Sequence, residues 1–113
     1  MDFTVITPTG DRPIAFNFCK YFMSNQTIKP SQWIIMDDGF VKGDEAKEIP
    51  FAEYHRRQRI ENHKVNTLNK QIHEALKYVK YDYIFIVEDD DYYASNYFET
   101  LLPLFEPDRK LIG

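Results

Sequence analysis

The chain has 113 residues, of which 43% are hydrophobic and 16% aromatic, and a formal net charge of −4. This size fits one globular domain with its own core, and the composition excludes a disordered chain. The acidic balance argues against wholesale nucleic-acid binding. The single cysteine allows no disulfide within one chain, no apolar run approaches the roughly 20 residues that span a bilayer, and the N-terminus lacks a signal-peptide pattern. We therefore expect a soluble, cytoplasmic protein.

The first predicted strand, Phe3 to Thr7, ends at Pro8-Thr9-Gly10-Asp11. Asp11 is a candidate helix cap, with Pro13 in the first turn, where the missing N–H has no partner to lose. The pattern that follows has helical spacing, and we expect its apolar side chains to face the core: Ile14, Ala15, Phe18, Cys19 and Phe22. Cys19 is therefore predicted to be a buried thiol and not a nucleophile.

A second buried strand, Trp33 to Met36, ends at Asp37-Asp38-Gly39, and a polar loop is predicted between Phe40 and Pro50. The segment from Phe51 to Arg57 is a weakly indicated third strand. It overlaps the basic stretch His55-Arg56-Arg57-Gln58-Arg59. We interpret this stretch as a solvated strand edge or loop, or else as a local contact for an anion.

His73 is expected at the surface, beside an apolar helical stripe formed by Val65, Leu68, Ile72, Leu76 and Val79. The run Tyr83 to Val87 is apolar throughout and predicts a strand buried on both faces. Ser95 is a candidate cap for a last helix, which Pro103 should shorten or kink. Its inward side chains are predicted to be Phe98, Leu101, Leu102 and Phe105. Residues 110–113 have the pattern of a new strand, so we expect a truncated product or the first part of a longer chain.

Strands and helices alternate along the chain, which predicts an α/β fold with a Rossmann-like, mainly parallel sheet and helices on both faces. In such a sheet the carboxyl ends of the strands share one edge, where ligands bind. Three polar strand ends should therefore meet: residues 8–11, 37–39 and 88–91.

The last of these strand ends is Glu88-Asp89-Asp90-Asp91, four consecutive acids after a buried strand. Carboxylates this close repel one another unless a cation neutralises them. Mg²⁺ or Mn²⁺, completed by substrate phosphates, fits such a cluster. A solvated acidic turn is the alternative interpretation.

The motifs in this order resemble the nucleotide-sugar-binding half of an inverting family 2 glycosyltransferase with the glycosyltransferase A fold, over about Phe3 to Phe105. They are Pro8-Thr9-Gly10-Asp11-Arg12, Asp37-Asp38-Gly39-Phe40, Asn69 on the helix before the acidic strand, and Glu88-Asp89-Asp90-Asp91, the counterpart of the family's Asp-X-Asp-Asp, ahead of a helix with Phe98-Glu99. The resemblance implies one nucleotide-sugar-binding domain, 1–113. The acceptor-binding half, which supplies the family's catalytic base, lies downstream, so no catalytic base is assigned.

For the nucleotide, of UDP or dTDP type, the resemblance implies a base pocket lined by backbone groups of Pro8-Thr9-Gly10. Asp37 or Asp38 would accept a hydrogen bond from the base, such as the N3–H of uracil. Asp89 would face the ribose, and Asn69 would lie on the nucleotide side. Gly10 stands where the family usually has an aromatic residue that stacks on the base.

For the diphosphate, the resemblance implies that Asp90 ligates Mn²⁺ or Mg²⁺, assisted by Asp91 or Glu88. A bound cation stabilises the negative charge that develops on a diphosphate leaving group. The basic candidates for phosphate contact are Arg12, His63 and Lys64. The sugar would pass to an unknown acceptor.

Two other functions fit the same sequence. A non-catalytic nucleotide-binding module, alone or in a larger assembly, would keep these residues without turnover. A metal-dependent phosphotransfer enzyme or nuclease would also use an acidic strand end, although a nuclease needs a more basic surface. We expect no nucleic-acid partner and no transmembrane segment, and a homo-oligomer can form through an incomplete sheet edge near Gly113.

Overall fold

The computed structural model describes residues 1–42, 49–62 and 64–113. The strands in these ranges are β1 Thr4–Thr9, β2 Gln32–Asp37, β3 Glu53–Arg56, β4 Ile84–Ile86 and β5 Leu111–Ile112. They form one sheet in the order β3-β2-β1-β4-β5, and every pairing is parallel. The Rossmann-like α/β prediction is confirmed. The predicted loop between Phe40 and Pro50 includes 43–48, which lie outside the described residues.

The α-helices of the described ranges are α1 Pro13–Ser24, α2 Leu68–Ala75 and α3 Tyr97–Leu101. Short 3-10 helices, Leu76–Tyr78 and Leu102–Leu104, extend α2 and α3. Pro103 lies in the second of these, which confirms that it shortens the last α-helix. The predicted cap of that helix is wrong by one residue, because Asn96 and not Ser95 occupies the N-cap position. None of the helices described is both long enough and apolar enough to cross a membrane.

Alternation along the strands divides the core between the two faces of the sheet. Side chains of one face pack with α1 and α3 in a cluster that includes Phe3, Val5, Phe16, Cys19, Met23, Trp33, Ile35, Phe85, Val87 and Phe98. Those of the other face, Ile6, Ile34 and Met36, pack against Ala75 of α2. Because helices cover both faces, β2 and β4 carry continuous apolar runs, as predicted, whereas β1 also buries three threonines.

Helix α1 is rotated relative to the prediction. Its buried residues are Phe16, Cys19 and Met23, whereas Ile14 and Phe18 are exposed. The prediction that Ile14 and Phe18 face the core is therefore wrong. Large apolar side chains recur at helical spacing on two opposite sides of this helix. Spacing alone does not show which side is buried.

Helix α2 also departs from the predicted stripe. Val65 and Leu76 lie outside the α-helix and are exposed, while Gln71 and Ala75 are its buried residues. The side chain of Gln71 points inward because its amide donates hydrogen bonds to backbone carbonyls of β1 and β2. His73 is exposed, as predicted.

Asp11 does not cap α1, because Arg12 occupies the N-cap position and its side chain makes no capping hydrogen bond. Asp11 instead has a φ of 53°, and its carboxylate accepts hydrogen bonds from the N–H groups of Phe40 at 2.9 Å and Val41 at 3.0 Å. Short acidic side chains tolerate this left-handed conformation better than most residues do. Asp11 thus ties the end of β1 to the segment after β2.

The Cys19 thiol is buried, as predicted, and its burial raises its pKa to about 12 from an ordinary 9.0. The neutral thiol is therefore favoured in the folded state. Its contribution to stability is complete below pH 9 and is lost as the pH rises from 9 towards 12. At pH 10.5 we expect the free energy of unfolding to fall by about 2 kcal/mol through this group alone.

Urea unfolding of the parent and of Cys19→Ala at pH 7 and pH 10.5 measures this loss. The parent should lose more stability than the variant over that interval, since the variant lacks the titrating group. An equal loss in the two proteins would contradict the prediction.

Candidate functional site

The carboxyl ends of β1, β2 and β4 meet at one edge of the sheet, as predicted. Thr9 is in register with Asp37 across β1 and β2. The N–H of Val87, just after β4, donates to the carbonyl of Ile6 at 2.9 Å, and the Thr9 hydroxyl donates to Asp89 at 2.7 Å. The acidic segment after β4 therefore lies beside the end of β1.

Three carboxylates of the acidic segment lie within reach of one another. Glu88, Asp90 and Asp91 each offer one oxygen within 4.8 Å of the others, and Asp90 and Asp91 are exposed. Partial burial raises the pKa of the Glu88 carboxyl, and the charges of Asp90 and Asp91 raise it further. Three hard oxygen donors with open sides for water or phosphate fit Mg²⁺ or Mn²⁺.

Asp89 differs from its neighbours because its side chain is fully buried. Its Oδ2 accepts the Thr9 hydrogen bond, and its Oδ1 lies 2.9 Å from Nη2 of Arg12, an ion pair without hydrogen-bond alignment. Burial raises the pKa of the Asp89 carboxyl, while Thr9 and Arg12 lower it. Nη1 of Arg12 also lies 3.4 Å from Asp90. Asp89 therefore fixes a half-exposed guanidinium at the rim of the acidic segment.

A polar cleft of about 400 Å³ opens between the acidic segment and the N-terminal end of α2. The predicted site residues that line it are Pro8, Thr9, Gly10, Arg12, Asp38, Glu88 and Asp90. Its other lining residues were not predicted: Arg59, Val65, Asn66, Thr67, Leu68 and Gln71. Residues predicted to bind the nucleotide and residues predicted to bind the metal ion thus line one cavity.

The other predicted site residues with described positions do not line this cleft. Asp91 faces a separate depression beside α1, and Lys64 and Asn69 are exposed. His63 lies outside the described residues. The roles assigned to all of these residues stay predictions.

Asp37 is buried and bound to β3 and the following turn. The hydroxyl of Tyr54 and Nη1 of Arg56 both donate to its Oδ2, the latter at 3.0 Å, and the N–H of Gly39 donates to Oδ1 at 2.9 Å. Of Asp37 and Asp38, only Asp38 borders the cleft.

Asp38 is almost entirely buried and is balanced by two arginines. The Thr67 hydroxyl donates to its Oδ2 at 2.5 Å. Nη1 of Arg57 lies 3.4 Å from Oδ2, and Nη1 of Arg59 lies 3.6 Å from Oδ1. The side chains of both arginines are mostly buried as well. These partners hold the Asp38 carboxylate in place beside the cleft.

The basic stretch 55–59 begins on the edge strand β3, and Arg56 and Gln58 are exposed, so the interpretation as a solvated strand edge is confirmed for this part. Arg57 and Arg59 are mostly buried and contact anions, as in the alternative interpretation, but these anions are carboxylates of the chain itself. Arg56 pairs with Asp37, and Arg57 pairs with both Asp38 and Glu61, the latter at 2.7 Å. These arginines hold the ends of β2 and β3 together.

Gln71 is a cleft residue that sequence reasoning missed. Its Nε2 donates to the carbonyl of Thr9 at 2.8 Å and to that of Met36 at 3.1 Å, so one amide joins the ends of β1 and β2. Thr67 and Gln71 are four residues apart and share one face of the helix. A polar pair at helical spacing, next to the apolar stripe that includes Leu68 and Ile72, is the signal that could have identified them.

Gly10, which lines the cleft, and Gly39 approach each other closely. A Cβ on Gly10 would lie 2.8 Å from the backbone nitrogen of Gly39, and one on Gly39 would lie 2.7 Å from the backbone nitrogen of Asp11. These distances leave no room for a side chain at either position unless the backbone moves. The absence of an aromatic residue at position 10 is thus built into the local packing.

Comparison with known proteins agrees with this geometry. A family model described as glycosyl transferase family 2 matches residues 4–113. The chain belongs to glycosyltransferase family 2. Members of this family combine a nucleotide-sugar donor with an acceptor and generally use a divalent metal ion. No curated protein matches the chain.

Solved structures of TarS from S. aureus share the fold. One aligns with a TM-score of 0.71 at 16% identity, covering 91% of this chain and 19% of TarS. Another, TarS 1-349, aligns with a TM-score of 0.62 at 18% identity, covering 92% of this chain and 31% of that one. The family 2 chain thus spans less than a third of these structures.

Proposed function

We propose that this chain is the donor-binding part of a glycosyltransferase, which holds a nucleotide-diphospho-sugar of UDP or dTDP type in the polar cleft. The observation that carries the proposal is that the cleft and the acidic cluster share Glu88 and Asp90. A diphosphate in the cleft would lie next to the carboxylates that can hold a divalent ion. The acceptor is left unassigned.

Individual residues would act as follows. Asp38, held by its arginines, accepts a hydrogen bond from the base, and Arg12 at the rim meets the diphosphate. Glu88, Asp90 and Asp91 would hold Mn²⁺ or Mg²⁺, and the bound ion would offset the charge of the leaving diphosphate. Asp89, buried against Thr9 and Arg12, would act on the ribose only after changing partners.

A nuclease is less well supported by the same surface. The arginines of the basic stretch pair with Asp37, Asp38 and Glu61, so their charge is not available to a polynucleotide backbone. Affinity for nucleic acid depends on such free cationic charge.

Calorimetric titration with UDP, with and without Mn²⁺, tests the proposal. We expect Mn²⁺ to tighten UDP binding about tenfold or more. Asp90→Asn should remove that gain, because it replaces an anionic ligand with a neutral amide. Asp108→Asn, which removes an exposed carboxylate of the turn before β5, is the matched control and should bind as the parent does. Absence of UDP binding, or binding indifferent to Mn²⁺ and to Asp90→Asn, would overturn the proposal.

A non-catalytic binding module is the second candidate, because it would use the same cleft and the same acidic cluster without turnover. Incubation of the purified chain with UDP-sugars and Mn²⁺, followed by measurement of UDP release, separates the candidates. Release that Asp90→Asn abolishes supports an enzyme. Metal-dependent binding without release supports the module.

A further inference from the structure

Helix α1 presents apolar side chains on two opposite sides. The inner side consists of Phe16, Cys19 and Met23 and is buried against the sheet. At 100° per residue, Ile14, Phe18 and Tyr21 lie almost diametrically opposite. They are 74%, 60% and 63% exposed. A helix that is apolar all round is normally covered on all sides, and here one side faces solvent.

The exposed side continues onto the loop after the acidic segment. Tyr92 is 76% exposed, and its ring meets that of the half-buried Phe22 edge to face, with centroids 5.1 Å apart. We call the four exposed side chains, Ile14, Phe18, Tyr21 and Tyr92, the α1 patch. A groove lined by Ile14, Asn17, Phe18, Tyr21 and Phe22 runs along it. Within α1 the only charged residue is Lys20.

We infer that the α1 patch is the contact surface of a homodimer, occupied by a second copy of this chain. Its composition fits a protein interface, where aromatic residues are enriched and charged residues depleted at the centre. A stripe on one straight helix is also self-complementary under a two-fold axis, because each copy then offers the other the same residues.

The size of the patch agrees with this occupant. With about 150–250 Å² for each of the three aromatic side chains and a comparable area for Ile14, the exposed parts of the four residues amount to roughly 500 Å² per copy. Two copies would bury roughly 1,000 Å², near the lower bound for a specific interface. The dimer should therefore form reversibly and at high concentration.

The negative charge of the chain argues against an anionic membrane as the partner of the α1 patch. Each chain carries a net charge of −4, and the patch adjoins Asp90 and Asp91, which line the depression shared with Phe18, Phe22 and Tyr92. Anionic lipid would be repelled by this edge. Two copies also repel each other, but salt screens that repulsion, so added salt should favour the dimer.

The patch lies on the sheet face covered by α1 and α3, whereas the polar cleft is lined by α2 on the other face. The two surfaces meet at Asp90, which lines both the cleft and the depression beside the patch, so a partner on α1 would lie next to one rim of the cleft. This surface differs from the sheet edge near Gly113, which the sequence suggested for oligomerisation.

Sedimentation equilibrium over a range of chain concentrations, at low and high NaCl, tests the inference. We expect the average mass to rise from 13.5 kDa towards twice that value, and to do so at lower concentration in high salt. The double variant Phe18→Ser/Tyr21→Ser should stay monomeric at concentrations where the parent pairs. The matched control Ile60→Ser/Leu104→Ser, which removes two exposed apolar side chains elsewhere, should pair as the parent does.

Asn17→Cys supplies a second test that keeps all four patch residues. Asn17 is exposed and lines the groove along the stripe, so oxidation should link two copies at a two-fold contact, whereas Ile60→Cys should give little linked product. A parent that stays monomeric at all concentrations, pairing unaffected by Phe18→Ser/Tyr21→Ser, open-ended polymers, or a monomer that co-sediments with phosphatidylcholine vesicles would each overturn the inference.

Discussion

Replacing Asp38 with alanine should lower the free energy of unfolding by about 3–5 kcal/mol, the loss typical of removing one partner from a buried ion pair. Arg57 and Arg59 would keep their charges in largely buried positions without this carboxylate, and the Thr67 hydroxyl would lose its acceptor. Urea denaturation followed by circular dichroism measures the change. UDP binding should be lost at the same time.

Two further variants show whether the loss of stability comes from breaking the buried ion pairs of Asp38 or from removing a carboxylate in general. Asp38→Asn keeps the shape and an acceptor oxygen for Thr67, so it should cost less than alanine. Asp108→Ala removes an exposed carboxylate and should change the free energy of unfolding by less than about 0.5 kcal/mol. A cost for Asp38→Ala as small as that of Asp108→Ala would show that the arginines find other partners.

Replacing Phe85 with alanine should lower the free energy of unfolding by about 3–5 kcal/mol as well, the range for deleting a buried aromatic side chain. Phe85 is fully buried in β4, and its ring lies 4.8–5.9 Å, centroid to centroid, from the rings of Phe3, Tyr97, Phe98 and Phe105. Thermal denaturation and urea titration measure the loss.

Because β4 carries the acidic segment, Phe85→Ala should also weaken the Mn²⁺-dependent part of UDP binding, although the residue touches no ligand. Phe40→Ala removes an exposed ring and should cost less than about 1 kcal/mol. Retention of full stability by Phe85→Ala would mean that β4 is not anchored through its aromatic neighbours.

The sheet and the convergence of its acidic strand ends were predictable from sequence for one physical reason. Strands buried on both faces carry apolar runs such as Ile84-Phe85-Ile86, and the polar residues that follow each run must then gather at the carboxyl edge. The resemblance to glycosyltransferase family 2 rested on the same strand ends, and the family match over residues 4–113 confirms it.

Side-chain partners set by tertiary structure were not predictable. Arg57 and Arg59 lie about 20 residues from Asp38 along the chain, so their ion pairs with this carboxylate do not follow from the local sequence. The inward turn of Gln71 depends on two carbonyls of other strands. Helix α1 offered two apolar sides, and only the position of the sheet decides which of them is buried.

The close meeting of Gly10 and Gly39 restricts how this cleft can change in evolution. A side chain at position 10 collides with the backbone at 39, and one at 39 collides with Asp11, so single replacements at either codon carry a steric penalty. An aromatic residue could be acquired at position 10 only together with a shift of the turn after β2. Each glycine is therefore required by the backbone that surrounds it, and each restricts its own position independently of the other.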